Sequence, residues 1–345
     1  MPEMPENINP NQFEPFTSNP LEPDDAYGDP REVGILAGQL RYVSEVDETG
    51  LGAVDAISDS SAPVSVWRQA WRSLRVRPLF WIAFAIIILM VTMAAVPWLF
   101  TSQDPAFCDL GNSQKPPSGG HVFGFDRQGC DVYARVIYGA RASLLVGLIA
   151  TTLSVLVGAT IGALAGYLGG WLDAILSRIT DIFFALPFVL AAIVAMQMFK
   201  EHRDVFLLSA VLAAFGWTQI ARITRGAVMS LKNEEYVTAS IALGRSKGAT
   251  LLKHIIPNAL APVIVYATVS LGAFIVSEAT LSFMGIGLPP TVVSWGGDIA
   301  RAQSSLRTNP TLLFYPATAL ALTVLAFTMM GDVVRDALNP KSNKR

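Results

Sequence analysis

Six stretches of this chain are apolar for seventeen residues or more, and they limit its fold more than any other feature. They run 80–100, 142–168, 182–199, 205–221, 259–283 and 311–331. About 20 apolar residues in a helix cross the roughly 30 Å of a bilayer's hydrocarbon. Only 15% of the chain is charged and its mean hydropathy is +0.44, whereas soluble domains carry roughly 25% charged residues. Water-soluble globular classes are thereby excluded, and the expected fold is an all-α integral membrane protein with six transmembrane helices. The third and fourth stretches are short and separated only by "KEHRD", which predicts a helical hairpin.

Charge sets the orientation. With the N-terminus inside, the inner segments hold 17 Lys and Arg and the outer segments hold 8. Basic residues concentrate on the cytoplasmic side, so both termini are expected inside. Residues 1–65 hold 13 acidic residues against 2 basic ones. They are rich in Pro and Asn and lack a sustained apolar period, the composition of a disordered extension. Within them, 34–46 has the pattern of a short amphipathic helix. There is no basic segment at residue 1, so no cleaved signal peptide is expected. The organisation read from this is a cytoplasmic extension (1–65), a first span with a long outer loop (66–141), and a five-helix core (142–341).

Spans two and five are lined with small residues, including Gly147, Gly158, Gly162, Gly166, Gly272 and Ala273. Such faces let helix backbones approach closely in lipid, within the chain or against a second membrane subunit. Pro187, Pro262 and Pro316 fall in or at the ends of spans, where each removes a backbone donor. Cys108 and Cys130 share the first outer loop, and a disulfide or two free thiols both fit their spacing. His121, His202 and His254 are scattered, so no metal site is expected.

The inner segment 222–258 carries the most information. Arg222 and Arg225 are expected to end span four. Asn233 has the character of an N-cap, and "NEEYVTASIALG" of a three-turn helix. Val237, Ile241 and Gly244 form an apolar stripe at i, i+4 and i+7. The surrounding residues are small enough for the helix to enter a groove on another protein. A turn through Gly244 and Gly248 and a second short helix, "ATLLKHII", should follow, with Pro257 marking the start of span five.

This arrangement resembles the EAA loop of binding-protein-dependent ABC importer permeases. Thr238-Ala239-Ser240 takes the Glu-Ala-Ala place, Gly244 that of the invariant glycine, and His254-Ile255-Ile256-Pro257 closes the pattern at matching spacing. The departures are Thr for Glu, Ser for the second Ala, and His and Ile at the closing aliphatic positions. The stretches 121–144, 166–190, 277–300 and 331–341 resemble the dipeptide/oligopeptide permease C-type subunits, with Cys130 where that group usually has Arg. The similarity covers roughly 66–341.

The resemblance implies a non-catalytic permease subunit of an ATP-driven importer for peptides. It forms half of the pore and rocks between inward and outward openings. Nickel chelates or glutathione are the alternative cargoes, and a stand-alone secondary transporter is a more distant alternative. No phosphate-binding Gly-x-x-x-x-Gly-Lys-[Ser/Thr] loop is present, so no cofactor is expected on this chain and ATP with Mg belongs to partner subunits. The implied partners are a second permease subunit in a heterodimer, two ATP-binding subunits, an extracytoplasmic solute-binding protein and the lipid bilayer, with no nucleic acid. Coupling to the ATPase is implied for Glu235, Tyr236, Thr238, Ala239, Ser240, Leu243, Gly244, Arg245 and Pro257. Glu278 and Pro187 are candidates for pore or gating roles, Glu278 being equally readable as snorkelling to the interface or pairing locally. Arg178 and Asp181 are expected to pair at i,i+3, Asp332 and Arg335 to pair locally, and Trp295 to anchor at the interface.

Overall fold

The structure, a computed structural model, describes residues 66–338. The acidic extension, the 34–46 pattern and the last residues of the 331–341 stretch lie outside them. Eleven helices are named here: α1 (Val66–Val76), α2 (Pro78–Ala95), α3 (Val132–Leu168), α4 (Gly170–Ala185), α5 (Phe188–Met198), α6 (Val205–Leu231), α7 (Glu235–Ala242), α8 (Lys247–Thr250), α9 (Ile256–Phe283), α10 (Trp295–Ala302) and α11 (Thr311–Leu338). Five helical stretches are long and apolar enough to cross a membrane, and the α4–α5 pair makes a sixth if its two bent halves count as one span.

Packing shows that α4–α5 does return across the bundle. Along α3, a Cβ on Gly158 would meet Trp217 O, one on Gly162 would meet Ala221 O, and one on Gly166 would meet Arg225 O. Both series advance four residues at a time in the same direction, so α3 and α6 are parallel. The chain between them therefore has to travel back, and α4–α5 is the only segment available. Gly147 of α3 meets Ile275, while Ala163 of α3 clusters with Ala259, so α9 runs antiparallel to α3. Gly272 faces Val324 and Gly331 faces Val269, so α11 runs antiparallel to α9. The glycines of α3 and α9 named in the sequence are thus packed within the chain, while Ala273 is exposed.

Four element boundaries differ from expectation. Helix α3 starts at Val132, not near 142, because the Asp131 side chain accepts from Ala134 N–H and caps it. The third span is not straight. It begins at Gly170 and bends by 83° between α4 and α5, where Leu186 and Pro187 are extended (ψ 128 and 112). A proline ring disfavours the helical region for the residue before it. Helix α6 continues ten residues beyond 221 to Leu231, so Arg222 and Arg225 sit inside it. Pro257 starts no new element after a loop. The helix is continuous from Lys247 to Phe283, with a π turn at Leu251–Ile255 just before it. Proline offers no N–H and crowds the carbonyl four residues back, and a wider turn accommodates both.

At the inner side, α1 packs on α11, and Arg77 pairs with Asp336 at 2.6 Å. Among the described residues no ion pair joins Asp332 to Arg335. On the outer side, residues 96–131 form a cap held by short 3₁₀ turns, isolated bridges and a disulfide between Cys108 and Cys130.

Candidate functional site

The inner ends of α3, α6 and α9 converge on α7. Lys232, just after α6, donates through Nζ to Gly166 O at 3.0 Å, tying that helix end to α3. Glu234, not Asn233, is the N-cap of α7, in extended conformation and without a side-chain cap bond. Val237 is fully buried, in a cluster with Ala163, Val228, Leu251, Ile255 and Ala259. Ser240 is the other buried residue of α7, and its hydroxyl lies 3.5 Å from that of Thr250. The inward face is therefore Val237 and Ser240, spaced i,i+3. Ile241, expected on that stripe, points out. Helix α7 is docked by Val237 into an aliphatic cluster, and Ser240 faces Thr250 beside it.

Exposed apolar groups flank the buried side of α7 and its C-terminal end. Tyr236, Ile241 and Leu243 are 42%, 46% and 88% exposed, and Glu235, Thr238 and Ala239 are exposed beside them. Gly244 ends the helix with φ +82. Its N–H donates to Ile241 O and the Arg245 N–H donates to Ser240 O, a left-handed stop that glycine adopts without a Cβ penalty. Arg245 then reaches 2.5 Å from His254 Nε2. Asn258 donates to His254 O at 2.7 Å. Because α8, the π turn and α9 are continuous, α7 is linked to a membrane span through one short turn. Pro257 lies exposed in the first turn of α9.

Two carboxylate–guanidinium pairs missed by sequence reasoning brace the same end. Asp173 of α4 takes both Nε and Nη2 of Arg225, at 2.6 and 2.7 Å. Asp181 pairs with Arg222 at 2.8 Å, not with Arg178. These partners are 52 and 41 residues apart, so no local spacing signalled them.

Glu278 does not snorkel and lines none of the cavities described below. It is 0% exposed and accepts from Ser143 Oγ at 2.9 Å and from Ser282 Oγ at 2.8 Å. Trp295 is not an interfacial anchor. It is fully buried, packs on Gly139 and donates from Nε1 to Val136 O at 2.9 Å. These groups knit α3, α9 and α10 together at their outer ends. There, buried Arg135 gives Asp298 two hydrogen bonds of 2.8 and 2.6 Å. Burial pushes the Asp298 carboxyl up, and Arg135 opposes that push.

Comparison with known proteins decides the family. Residues 158–344 match the binding-protein-dependent transport system inner membrane component, and 65–117 match the N-terminal TM domain of oligopeptide transport permease C. The oligopeptide transport system permease protein OppC of Bacillus subtilis (strain 168) is 37% identical over 292 residues, covering 85% of this chain and 95% of that protein. The chain belongs to the binding-protein-dependent permease family. The dipeptide transport system permease protein DppC of Alkalihalophilus pseudofirmus is 36% identical, covering 82% and 92% of the two chains. The glutathione transport system permease protein GsiD of Escherichia coli O157:H7 is 34% identical, covering 80% and 90%. In fold, the chain is similar to a chain of the MetNI methionine ABC transporter in an inward facing conformation. That likeness has a TM-score of 0.50 and 19% identity, covering 59% of this chain and 96% of that one. As a permease of this family the chain is a multi-pass membrane subunit without catalysis of its own. Such subunits work with ATPase and binding-protein partners.

Proposed function

We propose that this chain is one of two different permease subunits of a peptide importer, and that α7 is where ATP hydrolysis on two partner subunits becomes movement of the pore. The carrying observation is the set of exposed apolar side chains Tyr236, Ile241 and, just past the helix end, Leu243, on an element followed after one short turn by the continuous α8–α9 backbone of span five. Exposed apolar groups on an extramembrane surface mark an interaction site. Leu243, with its side chain almost wholly in water, gains most from burial in a partner's cleft. Gly244 and Arg245 shape the end of that contact, and Glu235, Thr238 and Ala239 form its polar flank. Thr238 carries no charge, so docking rests on shape and apolar burial. Ser240 acts from within, holding α7 against Thr250.

Motion of α7 reaches the membrane by a short route. The helix pulls on Val237's cluster and, through Arg245 and His254, on the π turn ahead of Pro257. A π turn is a weak point in a helix and a natural place to bend. The 83° break at Pro187 provides a second flexible point in the opposite half of the bundle. ATP and Mg stay on the partner subunits, and an extracytoplasmic solute-binding protein delivers the cargo. Peptides are the favoured cargo because relatives above 35% identity are named for oligopeptide and dipeptide transport. Glutathione, itself a small peptide, is supported by a relative at 34%.

The test is reconstitution in liposomes. The chain assembled with its second permease, ATPases and binding protein is expected to accumulate labelled peptide only with ATP. Solute movement by residues 1–345 alone, or ATP-driven uptake of a non-peptide with no peptide uptake, would sink the proposal.

A further inference from the structure

On the outer side, the tip between α5 and α6 meets the segment leading into α10. A cavity of about 520 Å³ opens there, walled by Lys200, Glu201, Arg203 and Arg301 together with Gln128 and residues of the Gly285–Val292 loop. It adjoins a second cavity of about 450 Å³, and Gln128, Ala300 and Arg301 belong to both walls. The acidic groups around the pair are few and largely engaged. Asp298 is held by Arg135, Glu201 lies 3.9 Å from Lys200 in open solvent, and Asp126 caps backbone N–H groups of Gln128 and Cys130.

Arg203 and Arg301 are less fully compensated: Asp298 and Asp126 act on Arg301, but without an ion pair to it. Among the described residues, neither has a carboxylate within ion-pair distance. Arg301 donates to Pro290 O at 2.7 Å. Arg203 donates to Gly285 O at 2.9 Å and to Gln197 Oε1 at 3.2 Å, yet its Nε is buried without a partner. Burial of Arg301, and the nearby Arg135 charge, hold its guanidinium below the usual arginine range. A half-buried cation without a directly bonded counter-charge is costly, and two of them beside one cavity favour an anion there. Arginine's fork geometry fits a carboxylate well.

We infer that this outer cavity is an anion site in which Arg203 and Arg301 receive a carboxylate side chain of the docking solute-binding protein. The inference rests on the importer reading above. The protein is favoured over a lipid headgroup because the walls are extramembrane loops, and three separate segments contribute to them. Docking would clip the α5–α6 tip to α10, adding to the Arg203 bond to Gly285 O and to the packing of Met196 and Leu208 with Leu288.

The test uses the assembled transporter in phosphatidylcholine nanodiscs and the solute-binding protein that supports uptake in the reconstituted system. Affinity is read by biolayer interferometry at low and high salt. R203Q/R301Q is expected to weaken binding about tenfold or more and to flatten its salt dependence. R203K/R301K, which keeps the charge, is expected to stay within about threefold of wild type. Wild-type affinity in R203Q/R301Q would overturn the inference. So would equal losses in the Gln and Lys variants, which would assign both residues to holding the Gly285 and Pro290 carbonyls. A difference that appears only when anionic lipid is added would assign the site to a headgroup instead. Docking is measured without ATP, so these outcomes are independent of uptake. A transporter that takes up peptide but docks normally as R203Q/R301Q loses only this inference.

Discussion

Replacing Gly162 with Ala tests the seam that carries α6, and with it α7. An ideal Cβ at Gly162 would stand 2.3 Å from Ala221 O, 2.8 Å from Thr224 Cβ and 3.0 Å from Arg225 N. Carbon–oxygen contacts settle near 3.3–3.6 Å, so α3 and α6 must part by about 1 Å. The obstacle is backbone, which cannot swing aside as a side chain does. Overpacking of this kind costs about 1–3 kcal/mol, and the upper end applies here. Alanine's better helix propensity returns up to about 1 kcal/mol, leaving a net loss of about 2 kcal/mol. Gly226 is the control. It lies in α6, exposed, with nothing within 4 Å of an added Cβ. Gly226→Ala should therefore be neutral or stabilising by up to about 1 kcal/mol. Unfolding in mixed dodecyl maltoside–SDS micelles, followed by the fluorescence of the 7 tryptophans, should separate the two variants by about 2–3 kcal/mol. Peptide uptake should fall only for Gly162→Ala, because Ala163 and Val228 on the two sides of the seam also hold Val237. Equal stability of the two variants would refute the seam argument.

Leu243→Ala removes the most exposed apolar group of α7 and should weaken capture of the ATPase subunits by about 1.5–3 kcal/mol, seen as loss of co-purification with normal membrane insertion. Gly244→Asp places a side chain at φ +82 where the chain itself offers open space. The fold should survive at a cost of about 1 kcal/mol, while ATP-driven uptake is abolished, and normal uptake would remove the docking argument. Glu278→Ala strips the acceptor from Ser143 and Ser282 and should cost about 1–3 kcal/mol, whereas Glu278→Gln, which keeps an acceptor, should lose less in the same micelle titration. Cys108→Ser with Cys130→Ser opens a ring of sequence separation 22. It should lose about 3 kcal/mol of cap stability, read as faster proteolysis within 109–129 while the spans stay protected.

The sequence by itself determined that this chain is an all-helical membrane protein with five to six spans, led to the expectation that both termini are inside, and marked 234–258 as an element set between spans. These readings follow from composition over stretches of about 20 residues and from Lys and Arg bias, which are local properties needing no partner. Motif spacing around Gly244 was legible for the same reason. What each side chain touches was not. Trp295 has the composition of an interfacial anchor, yet it is buried because Gly139, 156 positions earlier, leaves room for its ring. Asp181 has Arg178 one turn away and still pairs with Arg222, which α6 brings alongside. Glu278 can be read as a pore-lining, snorkelling or locally paired charge. Its partner Ser282 is one turn away, but its second partner, Ser143 of α3, becomes visible only once the helices are packed. The outward turn of Ile241 accompanies the burial of Val237 among Ala163, Val228, Leu251, Ile255 and Ala259. Only tertiary packing decides such matters, because each is a contest between a local preference and a distant surface whose shape the intervening chain does not encode.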